Sequence, residues 1–178
     1  MIVKAKTEYT MELLKKFSRF NAFKNQSQII TYCLLELLIL GLVGLSIFRA
    51  TISGNAEDVT VAIIYTIILS FILPLTLWLL PLLTAKMSKG IIGAVNSYEF
   101  FDDEIVVESS LPTASGKTNS KYSYFEKIYE TKDTFYLYIS KQQAFILRKS
   151  DIIEGNASDL QNIFKSKISP KKYIVKRF

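Results

Sequence analysis

The sequence predicts an α+β membrane fold: a two-helix transmembrane hairpin followed by a cytoplasmic, antiparallel, β-barrel-like domain capped by one C-terminal helix. Three observations lead there. Two long apolar stretches lie near the N-terminus, the pattern then changes to period-two alternation, and a single amphipathic helical segment follows the alternating strands. The chain has 178 residues, 49% of them hydrophobic, with 22 Lys+Arg against 16 Asp+Glu, no His and one Cys. Zero histidines excludes His-based triads and relays and nearly every transition-metal site, and a lone Cys33 excludes disulfides, zinc clusters and CxxC redox pairs.

Residues 1–27 come first. Within them IVKAKT reads as a strand, and Thr10 caps a helix through Phe23 with Leu13, Phe17 and Phe20 on one face and Lys15, Lys16 and Arg19 on the other. Two placements are open for this helix: on the inner leaflet with its bases at anionic headgroups, or packed on the C-terminal domain.

The transmembrane hairpin occupies 28–84. Its first span runs from Ile29 to Phe48 with Glu36 as the sole charge, and its second from Thr60 to Thr84 with none. At 1.5 Å per residue these reach about 30 and about 37 Å, the thickness of a bilayer core or more. For the first span, the Leu, Ile, Val and Phe contribute roughly −5 kcal/mol and one central carboxylate costs about +3, so insertion wins. Pro74 and Pro81 kink the second span. The flanks carry Lys15, Lys16, Arg19, Lys24, Lys86 and Lys89, whereas the connecting loop from Arg49 to Val59 has one base and two acids. That asymmetry puts both termini in the cytoplasm and the loop outside a bacterial cell membrane.

Residues 85–178 are long enough to close a core. Tyr98, Phe100, Ile105 and Val107 alternate around the Asp102-Asp103 break, which reads as a β-hairpin. The segment Leu111 to Ser120, with Pro112 and Gly116, reads as a loop or ragged hairpin end. Lys121 to Glu130, Thr134 to Ser140 and Gln143 to Lys149 read as three more strands. In the second of these, Phe135, Leu137 and Ile139 share the buried face and Tyr136 and Tyr138 a semi-polar one. Ser158 with Gln161 then forms a capping-box signature ahead of Leu160, Ile163, Phe164 and Ile168 at helical spacing. Tyr173-Ile174-Val175 adds a last strand. Several antiparallel strands followed by one helix is the order of a pleckstrin-homology-like barrel.

Tyr98-Glu99-Phe100-Phe101-Asp102-Asp103 followed by Ile105-Val106-Val107 resembles the YcxB-like family of bacterial membrane proteins. So does Tyr124-Phe125-Glu126-Lys127-Ile128-Tyr129-Glu130-Thr131 leading into Phe135-Tyr136-Leu137-Tyr138-Ile139-Ser140, and Gln143 to Leu147 ending in Arg148-Lys149 completes the pattern. The resemblance covers nearly the whole chain. It implies a short N-terminal strand and helix, two membrane helices and a β-rich C-terminal domain similar to bacterial pleckstrin-homology folds. It supplies no catalytic or binding residues.

Within the membrane, Glu36 is a functional candidate because an ionisable group there is costly. In an antiparallel hairpin its level matches Pro74, within a turn or so of Ser70 and Thr76, so the competing reading is a protonated carboxyl bonded to a hydroxyl or freed carbonyl. Cys33, Gly41 and Gly44 fall on one face of the first span and invite close helix packing. Lys171 and Lys172 in the basic tail, with Lys15, Lys16 and Arg19, are candidates for headgroup contact. A phosphoinositide site is argued against by the first hairpin, whose Glu99, Asp102, Asp103, Glu104 and Glu108 come with no base. The consecutive acids lack a calcium-loop spacing. No nucleotide loop or nucleophile elbow is present, and the aromatic residues and basic tail make a weak case for nucleic acid.

These residues predict a membrane-anchored, non-enzymatic module with neither metal nor cofactor. It acts by protein–protein contact through barrel surfaces such as the Tyr136–Tyr138 face, on a transporter, a sensor or a copy of itself. A membrane immunity protein against bacteriocins is the alternative. Small-solute or proton movement rests on Glu36 alone.

Overall fold

A computed structural model describes residues 3–24, 26–54, 56–75, 79–111, 114–141 and 143–176. The chain divides into two compact units, residues 11–89 and residues 1–10 with 90–178.

The first unit is helical. Helix α1 (Met11–Phe23) buries Leu13, Leu14 and Phe20, keeps Lys15, Lys16 and Arg19 exposed, and packs along α4. Helix α2 (Gln26–Ser53) and helix α3 (Ala56–Pro74) lie side by side. Leu- and Ile-rich sequence without an internal proline carries α2 for about 42 Å at 1.5 Å per residue. It stops at Gly54, whose φ of +61° suits the left-handed turn and whose amide bonds the Ala50 carbonyl at 3.1 Å. Ser53 Oγ donates to Asp58 Oδ2 at 2.6 Å across the turn. The expected Arg49–Val59 loop is therefore far shorter, because both helices run into it.

Among the described residues one helical stretch, Cys33–Ser53, is long and apolar enough to cross a membrane by length and composition. The described part of α3 ends at Pro74, and α4 (Leu80–Met87) has its proline in the first turn. Proline lacks an amide to donate and clashes with the preceding turn, so it is tolerated at a helix start but does not extend a helix through its interior.

The second unit contains two sheets. The first has the order β4-β3-β2-β1-β8 and the second β7-β6-β5-β9. Strand β1 (Val3–Glu8) pairs antiparallel with β2 (Val95–Phe100) over six residue pairs, and β2 continues into β3 (Glu104–Leu111) through the acidic turn. Strand β4 (Ala114–Lys121) pairs with β3 along its whole length. Strands β5 (Lys127–Glu130), β6 (Thr134–Tyr138) and β7 (Ala144–Arg148) form an antiparallel meander, and β9 (Tyr173–Val175) joins β5 in parallel. The short β8 (Ile152–Glu154) pairs with β1. Helix α5 (Ala157–Lys167) places Leu160 and Phe164 in one core with Val3, Phe100, Ile105 and Val107 of the first sheet and Ile128, Phe135, Leu137 and Leu147 of the second.

Among the described residues this is an α+β domain with largely antiparallel sheets and no closed barrel, which corrects the expected barrel. The loop expected over 111–120 is in large part β4. Its sequence, ASGKTNSK, has no apolar alternation, so its pairing with β3 rather than local propensity makes it a strand. The helix cap moves too: Asn156, in extended backbone, accepts from the Asp159 amide at 2.9 Å while Asp159 accepts from the Asn156 amide at 3.0 Å. Ser158 therefore lies inside the helix. Gly155 precedes the cap at φ +79°, where an added Cβ would meet Val3 Cγ2 at 2.9 Å.

Candidate functional site

Two surfaces of the helical unit decide what it can contact. On α2 the least exposed positions are Glu36, Ile39, Val43, Ser46 and Ala50, and on α3 they are Asp58, Ala62, Tyr65 and Leu69. Those three- and four-residue steps mark one narrow seam per helix, the spacing of a coiled-coil contact. Small Ala62 and Ser46, the latter turned onto the Leu42 carbonyl at 2.8 Å, let the two backbones approach. Outside the seam the side chains stay apolar and open: Leu34, Leu37, Leu38, Leu45, Phe48 and Ile52 on α2, and Ile63, Ile67 and Phe71 on α3 are all exposed. Proteins that face water rarely leave so many large apolar side chains open along two neighbouring helices.

Glu36 thus lies on the α2 seam, on the side nearest α3. Ser70 and Pro74 have no described side chains, and Thr76 lies outside the described residues, so the proposed hydroxyl partners of Glu36 fall there too. Among the described residues Cys33, Gly41 and Gly44 lie off that seam. All three are exposed, and a Cβ at either glycine would meet nothing within 4 Å. The covered stripe on α2 runs through Ile39, Val43 and Ser46.

Two clusters of buried polar groups in the sheet unit form bonds that join its elements. Glu130, 5% exposed, receives Lys149 Nζ at 2.5 Å and Gln161 Nε2 at 2.6 Å on one oxygen and the Tyr173 hydroxyl on the other. Burial pushes its carboxyl up, but the bonds from Lys149, Tyr173 and Gln161 outweigh that and hold it below the ordinary range. Lys149 also lies over the Phe135 ring, 4.9 Å from its centre. A second network closes the gap between the sheets. The Ile146 amide, on strand β7 at the edge of its sheet, donates to the Tyr9 hydroxyl at 2.9 Å, and the Tyr98 hydroxyl donates to the Ile146 carbonyl at 3.0 Å. Asn96 Nδ2 donates to Tyr98 Oη at 3.3 Å. Burial pushes both tyrosine hydroxyls above their ordinary value, so they remain neutral donors and acceptors. Side-chain hydroxyls here take the place of the ladder that would close a barrel.

Tyr136 and Tyr138 do not form an open docking face: they are 1% and 2% exposed. Alternation distinguishes the two faces of a strand, not their exposure, and every residue of β6 is buried. The Tyr129 ring stands edge-on to Tyr138 at 5.5 Å, and burial pushes the Tyr136 hydroxyl up to about 12. Lys172 donates to the Ser123 and Phe125 carbonyls at 3.3 and 3.0 Å. Lys171 is exposed. Lys167 pairs with Asp103 of the acidic turn at 2.8 Å. Among the described residues no group of three or more Cys, Asp or Glu side chains could hold a metal ion.

Sequence reading missed the Glu130 cluster and the tyrosine network. The partners of Glu130 lie 19, 31 and 43 residues along the chain, so no local spacing announces them. The α2 seam was legible in principle as a three-four step in side-chain size.

The model of the family described as YcxB-like protein matches residues 100–164. The match runs from the end of β2 through Phe164 of α5, taking in the acidic turn, Glu130, Lys149 and Gln161. It leaves the helical unit outside. No curated protein and no solved structure matches the chain.

Proposed function

We propose that this chain is anchored in the cell membrane by its α2–α3 hairpin and that its sheet unit works on the cytoplasmic face by protein–protein contact. The observation that carries the reading is the exposed apolar belt on α2 and α3. In water, leaving that many Leu, Ile and Phe side chains open forfeits roughly 1.5–3 kcal/mol apiece, whereas lipid acyl chains solvate them at no such cost. Pairing of β1 with β2 supports a return crossing. These strands precede and follow the helical unit yet share six residue pairs, so residues 11–89 begin and end on one side of a bilayer. That requires an even number of crossings, with α3 as the return. The excess of Lys and Arg on the flanks over the turn supports the cytoplasmic placement of both ends.

Protein contact is supported by the commitment of Glu130, Lys149, Tyr9 and Tyr98 in the sheet unit to bonds between its elements. Alkaline carbonate extraction of membranes from cells making the full chain tests the anchor. The chain is expected to stay in the pellet and to be released only by detergent; recovery in the carbonate supernatant would remove the membrane reading.

A further inference from the structure

Strand β4 is an edge: its other side pairs with no strand among the described residues. It is eight residues long, and all but Ser120 are exposed. A long open edge presents unpaired backbone donors and acceptors, and proteins normally shorten, cover or block one. The register shows what this edge is built to accept. Glu108 of β3 stands opposite Lys117 and Glu104 opposite Lys121. Further across the same sheet, Lys4 of β1 lies between Glu99 of β2 and Glu154 of β8, and the Lys4–Glu154 pair closes at 3.0 Å. Opposite charges thus face each other across neighbouring strands of this sheet, and two such pairs end at β4 on a lysine. A further strand beside either lysine would continue the opposite-sign pairing with an acid.

We propose that the free edge of β4 is the docking site for an extended acidic segment of a partner protein, added as a further strand with carboxylates four residues apart facing Lys117 and Lys121. The main chain would supply hydrogen bonds and the two lysines the selection. Two ways of pairing a second copy of this chain are disfavoured by the same residues. Antiparallel pairing of two β4 strands about Asn119 sets Lys117 opposite Lys121, and parallel pairing in register sets each lysine against itself; like charges directly opposite are repulsive. The inference rests on the protein-contact reading and names the chemistry of the partner.

The test uses the full chain in detergent micelles and two synthetic eight-residue peptides of threonine and valine. One carries glutamate at its third and seventh positions, the other lysine. The glutamate peptide is expected to bind about tenfold tighter at low salt, because two cross-strand pairs change from repulsive to attractive. Hydrogen exchange should slow in β4. Lys117→Gln with Lys121→Gln is expected to erase the preference, and Lys117→Glu with Lys121→Glu to reverse it. Equal binding of the two peptides, binding of neither, or slowed exchange confined to other strands would overturn the proposal. Photo-crosslinking from the exposed Glu126 and Lys132 separates this from the broader reading. A protein captured there, with the peptides undiscriminated, removes the β4 site alone; no adduct from any exposed position, with the peptides discriminated, removes the cellular reading alone.

Discussion

Phe164 and Phe71 are the same side chain in opposite surroundings. Phe164, on α5, is fully buried, with the rings of Phe100, Tyr122, Phe135 and Tyr173 between 5.6 and 6.3 Å away. Phe71, on α3, is 69% exposed. The sheet unit turns its apolar residues inward and shows charge outside, as folding in water requires. The helical unit covers only one seam on each of its two long helices and shows Leu, Ile and Phe outside. The two units therefore make different demands on substitution.

The largest contrast is expected from truncating those two phenylalanines. Phe164→Ala should destabilise the sheet unit by about 3–5 kcal/mol through lost packing and the cavity left behind. Phe71→Ala should leave denaturant unfolding of the detergent-solubilised chain unchanged. Equal effects would break the comparison.

Glu130→Ala comes next, at about 3 kcal/mol, because it strands the largely buried Lys149 without its carboxylate. The same group sets a pH dependence. Its folded pKa lies below the ordinary 4.5, so its contribution is complete above that value and is lost as pH falls through the lower folded value. Unfolding of the sheet unit followed by tyrosine fluorescence should show stability declining below about pH 4.5 in the native chain, and a weaker decline in Glu130→Gln.

Gly155→Ala should cost about 1–2 kcal/mol from the left-handed backbone alone, and the close approach to Val3 adds to it. Tyr9→Phe removes the acceptor of the Ile146 amide and should cost about 1 kcal/mol, with faster exchange at that amide. At the small end, Lys167→Met breaks an exposed pair with Asp103 and should leave the melting temperature unchanged.

Much of this architecture was legible in the sequence. The alternation of Tyr98, Phe100, Ile105 and Val107, the run from Phe135 to Tyr138, and the helical spacing of Leu160 and Phe164 each locate an element, because burial on one face imposes a period. What was not legible depended on partners distant in sequence. Strand β4 has no period of its own and exists through β3. Tyr136 and Tyr138 look half-exposed by alternation, yet both faces of β6 are buried. The closing bonds at Ile146 involve Tyr9 and Tyr98, 137 and 48 residues earlier. Within α2, the covered positions Val43 and Ser46 depend on where α3 lies.

The central claim is that α2 and α3 carry the chain into the bilayer and back, leaving β1 and the other strands on one side. Thiol labelling tests it most directly. In a Cys33→Ser chain, Lys6→Cys, Glu57→Cys and Asn119→Cys are introduced one at a time, and intact cells are treated with a membrane-impermeant maleimide before and after permeabilisation. The account predicts that Glu57→Cys is labelled in intact cells, while Lys6→Cys and Asn119→Cys are labelled only after permeabilisation. Labelling of Lys6→Cys and Asn119→Cys from opposite sides, or of Glu57→Cys only after permeabilisation, would contradict it.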